Sequence, residues 1–415
     1  MNNVSNNISR VAVCDGNEAA AWGVKLSRPD VVAVYPITPQ SSLVEYLSKF
    51  IADGELDAEL MNVEGEHSVL SALQGACLAG ARTYTATSGP GLAFMFEPYV
   101  RTPGLRLPMV ASLVNRDMLS PQCVWGGQQD VMTVRDAGWI HMFCESAQEV
   151  LDTVIMAYRI AEHPEVMLPV NVNHDGNYLS YGVSRVEIPS QPVVDAFLGD
   201  KNINWHAALD PDRPMAVDPL TGGADAEGAA RFAAYRQSLC RGMQNALAVI
   251  TDVHAEWECA SGRAFAPLVE EYRLEDAEIA LVTIGSMSGA AKDAVDAARE
   301  AGIAAGVIRI KTFRPFPVEA LARAAGKVRA LGVVDRAVSY GWNCGPVCQE
   351  VLGALYRTGR VIPVLSFIGG LAGADLTGAD FTRAIEATRQ ALATPPQALA
   401  PAPVWLNARE EGMPR

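Results

Sequence analysis

A chain of 415 residues is long enough for two or three domains, and a hydrophobic share of 49% supplies large cores, while only 19% charged residues suggest surface covered by other chains. Its 33 basic and 47 acidic residues give a net charge of −14 without a basic cluster, which argues against nucleic acid as a partner. The polar start MNNVSNNISR lacks the apolar core of a secretory signal and no apolar run reaches the length of a membrane span, so a cytoplasmic protein is expected.

In chain order, the pattern predicts a strand at Val31–Tyr35, a helix at Ser41–Ile51, a short strand at Leu60–Val63 and a helix at Glu66–Leu78. Thr83–Thr87 reads as extended, Ala93–Val100 as helical and Pro108–Val114 as a fully buried strand. A strand at Trp139–Phe143, a helix at Ala147–Ala161 and a strand at Met167–Val172 complete the first set. Continuous apolar strands alternating with helices imply an α/β domain with a parallel sheet, over residues 1–190. Residues 191–273 break the rhythm: ALDPDRPMAVDPL and TGGADAEGAA are turn-rich, and a helix follows at Ala229–Val253. Alternation resumes with strands at Glu278–Ile284, Ala305–Ile310, Ala330–Val334 and Ile362–Phe367, a second and smaller α/β domain over 274–395. The Ala/Pro-rich tail, 396–415, is expected to lie extended or wrap a partner.

Several chemistries are disfavoured. The eight cysteines contain no C-x-x-C pair, so no iron–sulfur cluster is expected here, and Cys344 and Cys348 read as ordinary buried residues. Six dispersed histidines offer no metal-ligand spacing. GSMSG places Met287 where a nucleophile elbow needs serine, and its spacing fails the dinucleotide fingerprint.

Three strand exits carry more. Tyr35-Pro36-Ile37-Thr38-Pro39 fixes its backbone with two prolines, which makes either a stiff connector or a loop presenting the Thr38 hydroxyl. Glu64 stands where a strand ends before a helix, able to cap that helix or face a ligand, and Glu66 could cap equally well. TATSGPGL brings small residues that allow close approach. Arg116, after a central strand, could fork onto a carboxylate or pair with Asp117 or Asp136. Thr38, Glu64 and Arg116 thus leave strand ends on one sheet edge, where open α/β sheets bind ligands.

Together YPITPQSS, VEGEHS, ARTYTATS, VNRDMLSP and QQDVMTVRDAGWI resemble the alpha chain of the 2-oxoacid:ferredoxin oxidoreductases, the pyruvate:ferredoxin oxidoreductase group. The resemblance continues through LDPDRP, GSMSG, RIKTFRPFP, GVVDRAVSYG and FIGGLAG, nearly the whole chain in order. It implies a pyrimidine-type thiamine diphosphate domain followed by a transketolase C-terminal-like domain. It also implies oxidative decarboxylation of a 2-oxo acid to an acyl-CoA, with coenzyme A as co-substrate. Glu64 is then expected to share a proton with N1′ of the aminopyrimidine, for which a raised pKa would suit it, and Thr38 to touch cofactor and substrate. By the same resemblance Pro39, Ser88 and Gly89 are expected to line the cofactor and Arg116 to hold the substrate carboxylate, with Cys123, Trp125, Gly126 and Gln128 completing the substrate pocket.

The resemblance further implies that the site is shared. A beta subunit brings the diphosphate with Mg2+, and gamma and ferredoxin-like delta subunits bring [4Fe-4S] clusters. Ferredoxin, or NAD through a further FAD-bearing subunit, accepts the electrons. Asp175-Gly176 lacks the glycine that precedes the family's diphosphate motif, so it is given no metal role. The chain departs from the common pattern at Gln40, at Ser88-Gly89-Pro90-Gly91-Leu92 and at Trp125-Gly126-Gly127-Gln128-Gln129-Asp130. Gly126 and Gly127 replace bulkier polar residues, which makes an aryl substrate such as phenylglyoxylate plausible beside pyruvate. A non-oxidative thiamine decarboxylase or transferase and a non-catalytic scaffold chain are the alternatives.

Overall fold

Short β-branched runs flanked by amphipathic helices wind the chain twice into parallel sheets covered by helices. The structure is a computed structural model describing residues 8–201, 226–399 and 402–408; LDPDRP lies outside the described residues. The strands of the first half are β1 (Ile8–Cys14), β2 (Val31–Val34), β3 (Glu59–Asn62), β4 (Thr83–Thr87), β5 (Val110–Asn115), β6 (Ile140–Phe143), β7 (Val170–Asp175) and β8 (Ser184–Pro189). Those of the second half are β9 (Val269–Tyr272), β10 (Ile279–Ile284), β11 (Ala305–Ile310), β12 (Thr312–Arg314), β13 (Ala330–Asp335), β14 (Val364–Ile368) and β15 (Val404–Trp405).

The first sheet has seven strands in the order β12-β6-β7-β5-β4-β2-β3, parallel throughout except for β12. The second has six, β15-β14-β13-β10-β11-β9, with β9 alone antiparallel. Both antiparallel edges differ from the all-parallel expectation, and both arise where the two domains meet. Strand β9 precedes residue 274 yet belongs to the second sheet, while β12, from the second half, completes the first. A ribbon of β1 and β8 stands apart. The helix expected at Ala93–Val100 is instead two, Gly89–Phe94 and Phe96–Gly104, divided at Met95. That expected at Ala229–Val253 is a single helix, Ala226–Ser261.

Local chemistry explains the elements. Asp15 caps the helix Gly16–Ser27 by accepting the Glu18 amide at 2.8 Å. That helix packs so closely on the Ala147–Ala161 helix that a β-carbon on Gly23 would lie 2.8 Å from the Leu151 carbonyl. Thr377 and Asp380 form a reciprocal capping box on the helix Gly378–Gln390. At the GSMSG turn Gly285 adopts a φ of 67° and Met287 packs inward. Cys344 and Cys348 are buried thiols. Among the described residues no helix is long and apolar enough to cross a membrane.

Candidate active site

Strands β3, β2, β4 and β5 are consecutive neighbours, and the segments leaving their carboxyl ends meet on one edge. The β2 exit is locked from beneath. Gln40 donates to the Ala86 carbonyl at 3.1 Å and accepts the Ile37 amide at 3.2 Å, while Asn17 donates to the Pro39 carbonyl at 2.8 Å. Pro39 is therefore buried and Thr38 exposed at the crest of the turn. Gln40, a departure from the common pattern, is thus the residue that ties this turn to β4.

Arg116 sits at the centre. It is only 5% exposed, and it donates through Nη1 to the Thr38 carbonyl at 2.7 Å and through Nε to the Cys123 carbonyl at 3.1 Å. No described residue engages its Nη2, so part of the guanidinium fork remains available to a ligand. It pairs with neither Asp117 nor Asp136. Gly89, at a φ of 44°, passes so close that a β-carbon there would lie 3.2 Å from Arg116 Cδ. Ser88 does not face the open edge: its hydroxyl donates to the Val114 carbonyl at 2.7 Å. Beneath, Asp130 accepts the Gly89 and Arg116 amides, both at 3.0 Å, and the Val131 amide at 2.7 Å. Burial nevertheless pushes its pKa up to about 7.

The two glutamates of VEGEHS part company. Glu64 is exposed, and the Ser68 hydroxyl, donating to it at 2.5 Å, holds its carboxyl below the ordinary value. Glu66 is the first residue of the helix Glu66–Leu78, 6% exposed, and burial raises its pKa. Its Oε1 lies 2.4 Å from where a β-carbon on Gly91 would stand, and Thr87 Oγ1 lies 2.6 Å from the same point. Only glycine at position 91 leaves that notch open between the carboxyl and a buried hydroxyl that has no partner among the described residues. Glu64 therefore lacks the raised pKa expected of it, and Glu66 has it. The signal was in the sequence. Glu66 shares helical phase with Val69, Leu70 and Leu73, all buried, whereas Glu64 precedes the helix.

The loop after β5 also differs in part from expectation. Cys123 is buried, with its Sγ accepting the Trp125 amide at 3.3 Å, and the Trp125 indole is half-exposed. Gly126 bridges to Arg116 as an isolated antiparallel pair. The glycine pair does not open a void, because β-carbons there would lie 3.2 Å from Asn177 Cβ and 2.4 Å from Asp117 Cγ. Gln128 points away from the strand-end edge. Its amide donates to the Arg336 carbonyl at 3.0 Å and its Nε2 lies against Gly285, at the seam between domains. Asp175 is committed to Arg336 and to the Asn177 and Tyr178 amides, at 2.7 and 2.6 Å.

The family described as "Pyruvate flavodoxin/ferredoxin oxidoreductase, thiamine diP-bdg" matches residues 22–231, and "Pyruvate:ferredoxin oxidoreductase core domain II" matches 277–381. The chain belongs to this family. It is an alpha-type subunit of a 2-oxo acid oxidoreductase, and its first domain is of the thiamine diphosphate-binding kind. It is 66% identical over 402 residues to the NADH-dependent phenylglyoxylate dehydrogenase subunit alpha of Aromatoleum evansii, covering 97% of this chain and 96% of that protein. It is 42% identical over 380 residues to the pyruvate synthase subunit PorA of Pyrococcus abyssi (strain GE5 / Orsay), covering 92% and 94%. In fold it is similar to 2-oxoglutarate:ferredoxin oxidoreductase from Magnetococcus marinus, with a TM-score of 0.69, 18% identity, and coverage of 92% of this chain and 65% of that one. A split-gene transketolase shares the fold at a TM-score of 0.51 and 14% identity, over 90% and 98%.

Proposed function

We propose that this alpha subunit converts an aryl 2-oxo acid, phenylglyoxylate, to its acyl-CoA. The balance is one 2-oxo carboxylate anion and one coenzyme A thiol giving acyl-CoA, CO2, one proton and two electrons. The relative at 66% identity supports the aryl substrate, as does the half-exposed Trp125, which precedes the Gly126 that bridges to Arg116. The glycine pair does not, since Asp117 and Asn177 fill that space. The same relative supports NAD as the final acceptor. We assign the diphosphate and Mg2+ to a beta subunit, and [4Fe-4S] clusters to gamma and delta-type partners.

The chain's own residues fit thiamine diphosphate. A carboxyl that must exchange a proton with an aminopyrimidine ring has to sit out of water with its neutral form favoured, and Glu66 does. Thiamine diphosphate, when bound, supplies the nucleophilic carbon and the electron sink of decarboxylation. Glu66 holds and returns the proton, and Gly91 keeps the approach to it clear. The Thr38 turn braces Arg116, whose Nη2 receives the substrate carboxylate. Asp130 fixes the backbone of both Gly89 and Arg116, so the cofactor side and the substrate side share one foundation.

The observation that carries this reading is the buried, pKa-raised Glu66 carboxyl beside the Gly91 notch, on the same edge as Arg116. Its test uses the assembled multi-subunit enzyme. Glu66→Gln is expected to lower turnover by about 10²–10⁴-fold, while Glu64→Gln keeps it within a few-fold of wild type. Loss in the Glu64 variant alone would return the proton to Glu64. A higher kcat/KM for pyruvate than for phenylglyoxylate would remove the aryl assignment.

A further inference from the structure

The turn that follows β14 reaches out of the second domain and grips the substrate loop of the first. Its inner residues make the contact: Gly373 donates its amide to the Gly126 carbonyl at 2.6 Å, and the Ala372 amide donates to the Asp117 carboxylate. Gly373 is also seated under the tryptophan, since a β-carbon there would lie 2.6 Å from Trp125 Cβ. The turn is unusual in its backbone. Gly370, Ala372 and Gly373 take φ values of 69°, 52° and 73°, and alanine rarely enters that left-handed region. A conformation of this kind persists only where the surroundings hold it.

The hold comes from the tail. Strand β15 pairs with Phe367 and Ile368, Leu406 donates its amide to the Ile368 carbonyl at 2.9 Å, and Arg383 donates to the Leu406 carbonyl at 2.6 Å. That registers Asn407 over the turn. Its Oδ1 accepts the Gly370 amide at 2.8 Å and its Nδ2 donates to the Asp375 carbonyl at 3.2 Å. One side-chain amide therefore closes both ends of the segment whose middle holds Asp117 and Gly126. Arg336 adds a second tie, donating from Nε to the Gly370 carbonyl at 3.0 Å and pairing with Asp175 of the first domain.

We infer that Asn407 is a positioning residue: by closing the Gly370–Asp375 turn it fixes the Asp117–Gly127 loop, and so sets where Trp125 stands over the substrate. Substrate selection then draws on Asn407 and on the second domain as well as on the strand-end edge of the first. The linkage is continuous, from Asn407 through Gly370, Ala372 and Gly373 to Asp117 and Gly126. Gly126 bridges Arg116, and Asp117 donates its amide to the Trp125 carbonyl at 3.3 Å. The inference rests on the reading of Trp125 and Arg116 as the substrate side of the site.

The experiment uses the assembled enzyme carrying Asn407→Ala, with Trp405→Ala as a control that alters the same tail and leaves the amide bridge intact. Two quantities are read: hydrogen exchange of the amides over residues 117–127, and the ratio of kcat/KM for phenylglyoxylate to that for pyruvate. Asn407→Ala is expected to speed exchange in that loop by about tenfold and to change the ratio by a few-fold through KM, with both unchanged in Trp405→Ala. Gly373→Ala, which keeps the bridge but pushes a methyl group against Trp125, is expected to change the ratio as well. Wild-type exchange over 117–127 in Asn407→Ala overturns the positioning role. A loosened loop together with wild-type ratios in Asn407→Ala, Gly373→Ala and Trp125→Ala overturns instead the reading of Trp125 as part of the site.

Discussion

Asp130 shows how much of the site rests on one side chain that touches no reactant. Its two oxygens take three backbone N–H groups, two of them from Gly89 and Arg116. Removal would leave those donors unpaired in a buried place, at about 1–3 kcal/mol each. Its pH signature has a definite sign. Burial raises the folded-state pKa from 3.8 to about 7, so the folded chain binds more protons than the unfolded one between those values. Stability from this group is therefore present below the unfolded value and falls as pH rises toward 7, by up to about 4 kcal/mol. Thermal melts of wild type and Asp130→Asn across pH 4 to 8 should show the wild type losing ground as pH rises; a constant difference would contradict the raised value. Gly91→Ala tests the neighbouring notch. A methyl group at 2.4 Å from Glu66 Oε1 must displace the carboxyl, and turnover of the assembled enzyme should fall by about 10²-fold. The strand-exit positions of Thr38 and Arg116 were legible in the sequence because proline pairs and a charge ending an apolar run are local signals. The choice between Glu64 and Glu66 needed helical phase, and the role of Asp130 needed three amides from segments 14 and 41 residues distant as well as its own neighbour.

At the level of elements, the inner strands and their helices were readable, most of them because they bury a continuous apolar run; β4, with three threonines, is buried along its whole length without one. Of the edge strands β3 was readable, while β9, β12 and β15 were not. Strand β11 ends at Ile310, and after Lys311 the chain leaves the second sheet, so that Thr312 and Arg314 pair with Met142 and His141 of the first. Nothing local marks that transfer; it is decided by the first sheet's open edge and by Phe143 donating its amide to the Lys311 carbonyl at 2.7 Å. The helix Pro346–Arg357 has the same long-range dependence at its start. Its cap is not the preceding Gly345 but Asp335 at the end of β13, which accepts the Val347 amide at 2.7 Å and the Cys348 amide at 3.2 Å. Gly345 is there because a β-carbon would lie 1.9 Å from Asp335 Cγ. Gly345→Ala should therefore displace the cap and overpack the β13 edge at once, costing roughly 3 kcal/mol or more. Calorimetry of the purified chain checks this: a melting temperature equal to wild type would mean the carboxylate is not the cap.

On the scale of the molecule, the domains are joined by charge as well as by shared strands. Glu149, on the first domain's Ala147–Ala161 helix, takes Arg309 Nη1 and Nη2 at 2.9 and 3.0 Å and Lys311 Nζ at 3.0 Å, all of these groups being buried. Glu145 and Glu270 extend the network through Lys292, each at 2.8 Å, and Glu270 also holds Arg309 at 2.6 Å. Although burial alone would raise the Glu149 pKa, the two cations outweigh it and hold the carboxyl far below the ordinary 4.5. Replacing it with glutamine leaves Arg309 and Lys311 buried with one anion fewer, a cost of about 3–5 kcal/mol. A depressed folded-state pKa means that this stabilisation is present above the unfolded value and is lost as pH falls toward the folded one. The melting temperature of Glu149→Gln should thus lie several degrees below wild type at pH 7, and the gap should narrow steadily below about pH 4.5. Because the 117–127 loop is also held from the second domain, by Ala372 and Gly373, the variant should exchange the amides of that loop faster than wild type at pH 7. A melting gap that stays constant into acid, or an unchanged loop, would mean that the ion network holds neither the domains nor the site.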